Sequence, residues 1–159
     1  FIGGHSMGGL LALIKAKETE VDGIFSISTP IGIRGLGKIE KPISEIKQEY
    51  IPIDFEMNMI ESNNKWVGYK KLPVNVIAKM QELITEMKLA LPNIKAPIIL
   101  FQGKKDKTIK KESMDFIYDK IGSKIKEKVW LENNNHRILE SPDEDLLIEK
   151  LTDFIKKIV

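Results

Sequence analysis

The sequence predicts an α/β protein: a mostly parallel sheet with flanking helices. Three observations predict it. Short β-rich runs alternate with longer runs of helical period, the pattern of strand–helix–strand units. The run Pro97 to Gln102 (PIILFQ) is almost continuously apolar, as a parallel strand buried on both faces should be. Finally, 159 residues with 42% hydrophobic and 30% charged positions match one ordinary globular domain.

Taken in order, Phe1 and Ile2 read as the end of a buried strand, and Gly3-Gly4 release the backbone into a turn. Gly8 to Lys17 (GGLLALIKAK) is rich in Leu and Ala and reads as a helix. Ile24 to Ser28 (IFSIS) alternates, which predicts a strand closed by Thr29-Pro30. From Ile31 the character changes. Gly32, Gly35 and Gly37 open an irregular stretch, followed by short helical segments over Ile43 to Tyr50 and Asp54 to Ser62. A longer helix, Val74 to Leu91, carries Val76, Ile77, Met80, Leu83, Ile84, Met87 and Leu91 at helical spacing and stops at Pro92-Asn93.

The alternation then resumes. The strand Pro97 to Gln102 leads into a loop, Gly103 to Asp106, and a helix is expected over Thr108 to Ile121, stopped by Gly122. Glu127 to Leu131 reads as a strand and Glu132 to His136 as a polar loop. Ser141-Pro142-Asp143-Glu144 has the form of a helix start with Ser141 as N-cap, and that helix runs to about Ile158. The expected division is therefore a core of 1–30 and 92–159, interrupted by a helical insertion at 31–91.

Composition excludes several chemistries. A net charge of +2, from 25 basic and 23 acidic residues, gives no reason to expect nucleic acid as a partner. The lysine-rich stretches read as solvated helix faces and turns. With no cysteine there is no disulfide, thiolate nucleophile or cysteine zinc site, and two histidines are too few for a His-rich metal centre. No apolar run reaches the roughly 18 residues of a membrane span. No metal or other cofactor is implied.

What carries chemistry is Gly4-His5-Ser6-Met7-Gly8, a G-x-S-x-G pattern between a strand end and a helix start. Such a turn holds a serine in strained geometry with its hydroxyl aimed away from the sheet, and glycines at Gly4 and Gly8 let strand and helix approach. The helix N-terminus behind Ser6 offers free N–H groups and a positive dipole end, which makes the Met7 N–H an oxyanion donor. The other reading of the segment is a glycine-rich turn with a helix-capping serine. Serine needs a base. His5 adjoins Ser6, and adjacent side chains point apart on such a turn, which leaves His136, in a loop at the carboxyl edge of a strand. The imidazole needs an acid to fix its tautomer. Asp106 follows the strand that precedes it and completes the order Ser, Asp, His; Asp115 is a rival set on the following helix. The other role open to Asp106 is that of N-cap for a helix beginning near Thr108.

The blocks Gly4-His5-Ser6-Met7-Gly8-Gly9, Gly103-Lys104-Lys105-Asp106 and Asn135-His136 resemble the active-site blocks of α/β-hydrolase carboxylesterases and monoacylglycerol-lipase-like enzymes, above all small bacterial carboxylesterases. The resemblance runs along the whole chain. It implies a serine hydrolase acting on carboxylic esters of small to medium acyl chains through an acyl-enzyme, with Ser6 as nucleophile, His136 as base, Asp106 as acid and Met7 as oxyanion donor. It also implies that 31–91 is a cap or lid. In that family the first strands and a second oxyanion N–H precede the serine turn. The chain is thus expected to be N-terminally truncated, with the missing segment as a partner, and weakly active alone, because one oxyanion donor is worth about 10²–10³ in turnover.

Within the insertion, Phe55, Met57, Met59 and Trp66 suit an adaptable acyl pocket, or else pack the insertion onto the sheet. The expected substrate is a small-molecule ester and the expected location cytoplasmic, an upstream signal peptide being left open. Other readings are a thioesterase, a monoacylglycerol lipase and a non-catalytic binding module or inactive fragment. A neutral histidine base would make activity rise through about pH 6–7.

Overall fold

A computed structural model describes residues 1–34, 47–52, 69–138 and 142–159. Its main sheet has four parallel strands. β1 (Ile2–His5) pairs with β2 (Ile24–Ile27), and α1 (Met7–Glu18) connects the two. A short antiparallel pair, β3 (Tyr50–Pro52) and β4 (Lys71–Pro73), precedes α2 (Val74–Ala90), which ends in a 3₁₀ turn, Leu91–Asn93. β5 (Ile98–Gly103) joins β2, and β6 (Lys126–Leu131) joins β5, each in parallel. α3 (Ser113–Lys120) lies between β5 and β6 in sequence, and α4 (Glu144–Ile158) ends the chain. The parallel α/β class expected from the alternation is the class observed.

In-register pairing aligns Ile2, Ile24, Ile98 and Lys126 across the sheet, so the carboxyl ends of the strands form one edge. The two-residue period of a strand then sorts the core into two layers. Ile24, Ile98 and Leu100 join Leu10 and Leu13 of α1, Ile84 and Met87 of α2, and Met114 and Ile117 of α3 on one face. Ile27, Ile99 and Phe101 join Leu131, Ile138 and the α4 residues Leu147 and Phe154 on the other. This explains why β5 is apolar without alternation: both of its faces are covered, and all six of its residues are buried. α2 falls within the predicted insertion, yet its C-terminal half packs into the same layer as α1.

Several boundaries differ from expectation. β1 does not stop at Ile2 but runs through both glycines, with Gly3 opposite Phe25 and Gly4 opposite Ser26. The glycines keep the strand flat against neighbours rather than breaking it: a Cβ on Gly3 would lie 2.4 Å from the Phe25 ring. Tyr50, expected at a helix end, belongs to β3. Ile51 precedes Pro52, which disfavours helical backbone there, and Lys71 lies over the Tyr50 ring at 4.4 Å.

The helix expected from Thr108 begins only at Ser113. The intervening residues have other partners. Asp106 Oδ1 accepts from the Thr108 and Ile109 N–H groups. Ile33 bridges Ile109, and the buried Gln102 amide donates to the Lys110 and Lys111 carbonyls while accepting from Met114 N–H. The short helices assigned to Ile43–Tyr50 (up to residue 46) and Asp54–Ser62, and the Ser141 cap, lie outside the described residues. α4 begins instead with Asp143 at its N-cap position.

Candidate active site

The site forms at the carboxyl edge of the sheet. Ser6 sits between β1 and α1 with φ 54° and ψ −116°, a left-handed φ that a residue with a Cβ rarely adopts. Tertiary contacts hold it there. Its N–H donates to the Ile27 carbonyl at 2.8 Å, and its own carbonyl accepts from Gly9 N–H at 3.0 Å. The turn depends on absent side chains. A Cβ on Gly4 would come within 2.3–2.4 Å of the Gly8 backbone, and a Cβ on Gly9 within 1.8 Å of Thr29 Oγ1. Gly8 faces open space among the described residues. The second glycine needed for close approach is therefore Gly9, not Gly8, because β2 delivers Thr29 beside the first turn of the helix.

Asp106 follows β5 and is buried. It caps no helix, because α3 begins only at Ser113, yet its two oxygens take separate partners: Oδ1 accepts from the Thr108 and Ile109 N–H groups of a turn at 2.8 and 3.1 Å, and Oδ2 lies 2.8 Å from His136 Nδ1. His136 Nε2 in turn lies 3.0 Å from Ser6 Oγ. A carboxylate only accepts, so Nδ1 carries the ring proton. In the neutral ring Nε2 is then a lone pair facing the serine hydroxyl, which donates to it. Asp115 is elsewhere: it pairs with Lys128 at 2.5 Å on the exposed side of α3. Met7 opens α1 with its side chain half exposed, and the first N–H groups of a helix have no intrahelical acceptor. Phe55, Met57, Met59 and Trp66 lie outside the described residues.

His136 is carried by an irregular loop that many bonds fix. Asn133 donates from its backbone N–H and its side-chain Nδ2 to the two carboxylate oxygens of Asp143, at 2.8 and 3.1 Å. Asp143 N–H donates to Oδ1 of the buried Asn134 at 3.2 Å. The Asn134 carbonyl accepts from Lys105 N–H at 2.9 Å, which ties the loop to the one bearing Asp106. Gly103 permits that approach, since a Cβ there would lie 2.3–2.4 Å from the Asn134 and Asn135 carbonyl oxygens. Beyond the loop, Ile138 is fully buried in the α4-side layer.

Sequence reasoning assigned no separate role to Gly9, Gly103 or Asp143, which appear there only within longer blocks, and it set His5 aside as a base. His5 is no proton acceptor for Ser6, but it is not idle: its Nε2 reaches the His136 carbonyl at 2.8 Å. A cue was available in its being the only other histidine of the chain, set beside the serine. The contacts of Gly103 with Asn134 and Asn135, and of Asp143 with Asn133, had no local cue, because the partners lie in another loop or element.

The model of the family Hydrolase_4 (Serine aminopeptidase, S33) matches residues 1–143. The chain belongs to that family. This α/β-hydrolase chain is 24% identical over 156 residues to a carboxylesterase of Bacillus subtilis strain 168, covering 98% of the chain and 63% of the relative. It is 26% identical to the thermostable monoacylglycerol lipase of Bacillus sp. strain H-257, covering 99% of the chain and 62% of that protein. A solved structure from work on two metagenome-derived lipolytic enzymes, LipS and LipT, superimposes with a TM-score of 0.83 at 25% identity, covering 98% of the chain and 64% of that structure. The chain thus spans less than two thirds of the length of these relatives. No helix among its described residues is long and apolar enough to cross a membrane.

Proposed function

We propose that this chain carries the nucleophile, base and acid of a serine esterase that cleaves carboxylic esters of small to medium acyl chains. The observation that carries the reading is the hydrogen-bonded row from Asp106 Oδ2 through His136 to Ser6 Oγ, in the tautomer that leaves Nε2 free to take a proton. In the proposed first step, Ser6 Oγ bonds to the ester carbonyl carbon as its proton passes to His136 Nε2 and the carbonyl π pair moves onto oxygen. Asp106 keeps Nδ1–H oriented and offsets the imidazolium charge. The Met7 N–H, at the helix N-terminus, holds the oxyanion. As the tetrahedral centre collapses, the bond to the alcohol oxygen breaks and that oxygen takes the proton from His136. Water, deprotonated by the same imidazole, then attacks the acyl-enzyme, and Ser6 leaves with its proton restored.

Two further parts of the reading rest on sequence alone. A second oxyanion donor comes from a segment preceding the serine turn, and Phe55, Met57, Met59 and Trp66 shape the acyl pocket within a cap formed by 31–91. The monoacylglycerol lipase relative favours a second reading, in which the alcohol is glycerol. A panel of nitrophenyl esters and monoacylglycerols of graded acyl length, assayed on the intact protein, separates the two.

The test is covalent labelling of the intact protein with a fluorophosphonate probe. Wild type should react; Ser6→Ala should not, and its ester turnover should fall by about 10⁴-fold or more. A wild type that stays unlabelled while still binding esters would replace the esterase by a non-catalytic binding module. The cytoplasmic location is part of the same proposal, and cell fractionation followed by the labelling tests it.

A further inference from the structure

We propose that His5 is a positioning residue that holds the base loop against the serine turn through the backbone of His136; this rests on the reading of Ser6 and His136 as nucleophile and base. The His5 Nε2 to His136 carbonyl distance is 2.8 Å, and the residues are 131 positions apart. The two rings stand 4.9 Å apart, tilted by 50°. A carbonyl only accepts, so Nε2 of His5 carries the proton and donates.

The consequence is geometric. The His136 ring is oriented from one side by Asp106, yet the Ser6–Nε2 distance depends on where the whole loop sits relative to β1. His5 is the last residue of β1, immediately before Ser6. Its bond fixes the loop to the same backbone that fixes the nucleophile, so serine and imidazole share one frame.

Charge state favours this role. Burial lowers the His5 pKa from its usual 6.5, opposed by the hydrogen bond to His136; the His136 charge lowers it too, Asp106 raises it and Arg137 lowers it. A neutral His5 donates one N–H and adds no positive charge beside the imidazolium that forms on His136.

Two substitutions in the intact protein test this. His5→Phe keeps a ring and removes the donor, whereas His5→Gln places an amide N–H near the position of Nε2. The Phe variant should lose about tenfold in kcat with KM nearly unchanged, the scale of one well-placed hydrogen bond. Its His136 Nδ1–H proton resonance should broaden through faster exchange. The Gln variant should restore both to within about threefold of wild type. Wild-type kcat and resonance in the Phe variant, or a Gln variant no better than Phe, would overturn the proposal. The resonance reports loop position without any turnover, so a wild type that fails to label with fluorophosphonate sinks the esterase reading and leaves this test in force.

Discussion

The serine turn and the histidine loop meet at a 3.0 Å contact, yet opposite means hold them. The turn at Ser6 is held by backbone bonds and by missing side chains: Gly4 against the Gly8 backbone, and Gly9 against Thr29. The loop at His136 has no regular structure and is held by polar side chains, chiefly Asn133, Asn134 and Asp143. A strained φ persists only where surroundings over-determine it. A loop without a ladder of its own satisfies its polar groups through side chains and scattered backbone bonds, here including Lys105 N–H to the Asn134 carbonyl. The first region should therefore fail when volume is added, and the second when polar atoms are removed.

The largest expected effect is that of Gly4→Ala. Its Cβ would meet backbone, which cannot rotate away, so a loss of about 3 kcal/mol or more is expected in chemical denaturation, with activity falling alongside. The same change at Gly8 breaks the symmetry of the motif. Its Cβ meets nothing within 4 Å among the described residues, and the change should be neutral or stabilising by up to about 1 kcal/mol. Comparable losses at both positions would show that space at the helix start is filled.

Next in size is Asp143→Ala, which removes both acceptors of Asn133 and adds no volume. About 1–3 kcal/mol of stability should go, with a fall in kcat and without the collapse expected of Gly4→Ala. Unchanged unfolding and turnover would mean that the loop is held from elsewhere.

The smallest effect is a pH dependence. His5 has a folded-state pKa below its usual 6.5. Below 6.5 the unfolded chain therefore binds more protons at this position than the folded one. The contribution of a neutral His5 is fully present above pH 6.5 and is lost as pH falls through the folded value. Between pH 8 and 5, wild type should lose thermal stability more steeply than His5→Gln, the other titrating groups being common to both. Parallel curves would show that His5 is not held neutral by burial.

Much of this was legible in the sequence. Strand and helix runs have local periods, so the alternation, the doubly buried β5 and the four long described helices could be read from short windows, although the Val74–Ala90 helix was expected in the insertion and not against the sheet. The hydrogen-bonded row of Ser6, His136 and Asp106 was legible because a serine turn demands particular neighbours, and because one of the two histidines adjoins the serine. Errors fell where the deciding partner is remote. The late start of α3 follows from Asp106, Gln102 and Ile33 claiming its expected first turn, and the β3–β4 pair follows from residues separated by a long intervening stretch.

By itself, then, the sequence determined the parallel α/β class and that a serine, an aspartate and a histidine stand at the ends of its strands, since both depend on residue type and near spacing. Only tertiary structure decided that Asp106 splits its two oxygens between a turn and His136, that among the described residues Gly9 rather than Gly8 is the crowded glycine, and that His5 reaches the His136 carbonyl. Each of these is a contact across more than one element, set by strand register and by the approach of loops at one sheet edge, and no local window of sequence contains it.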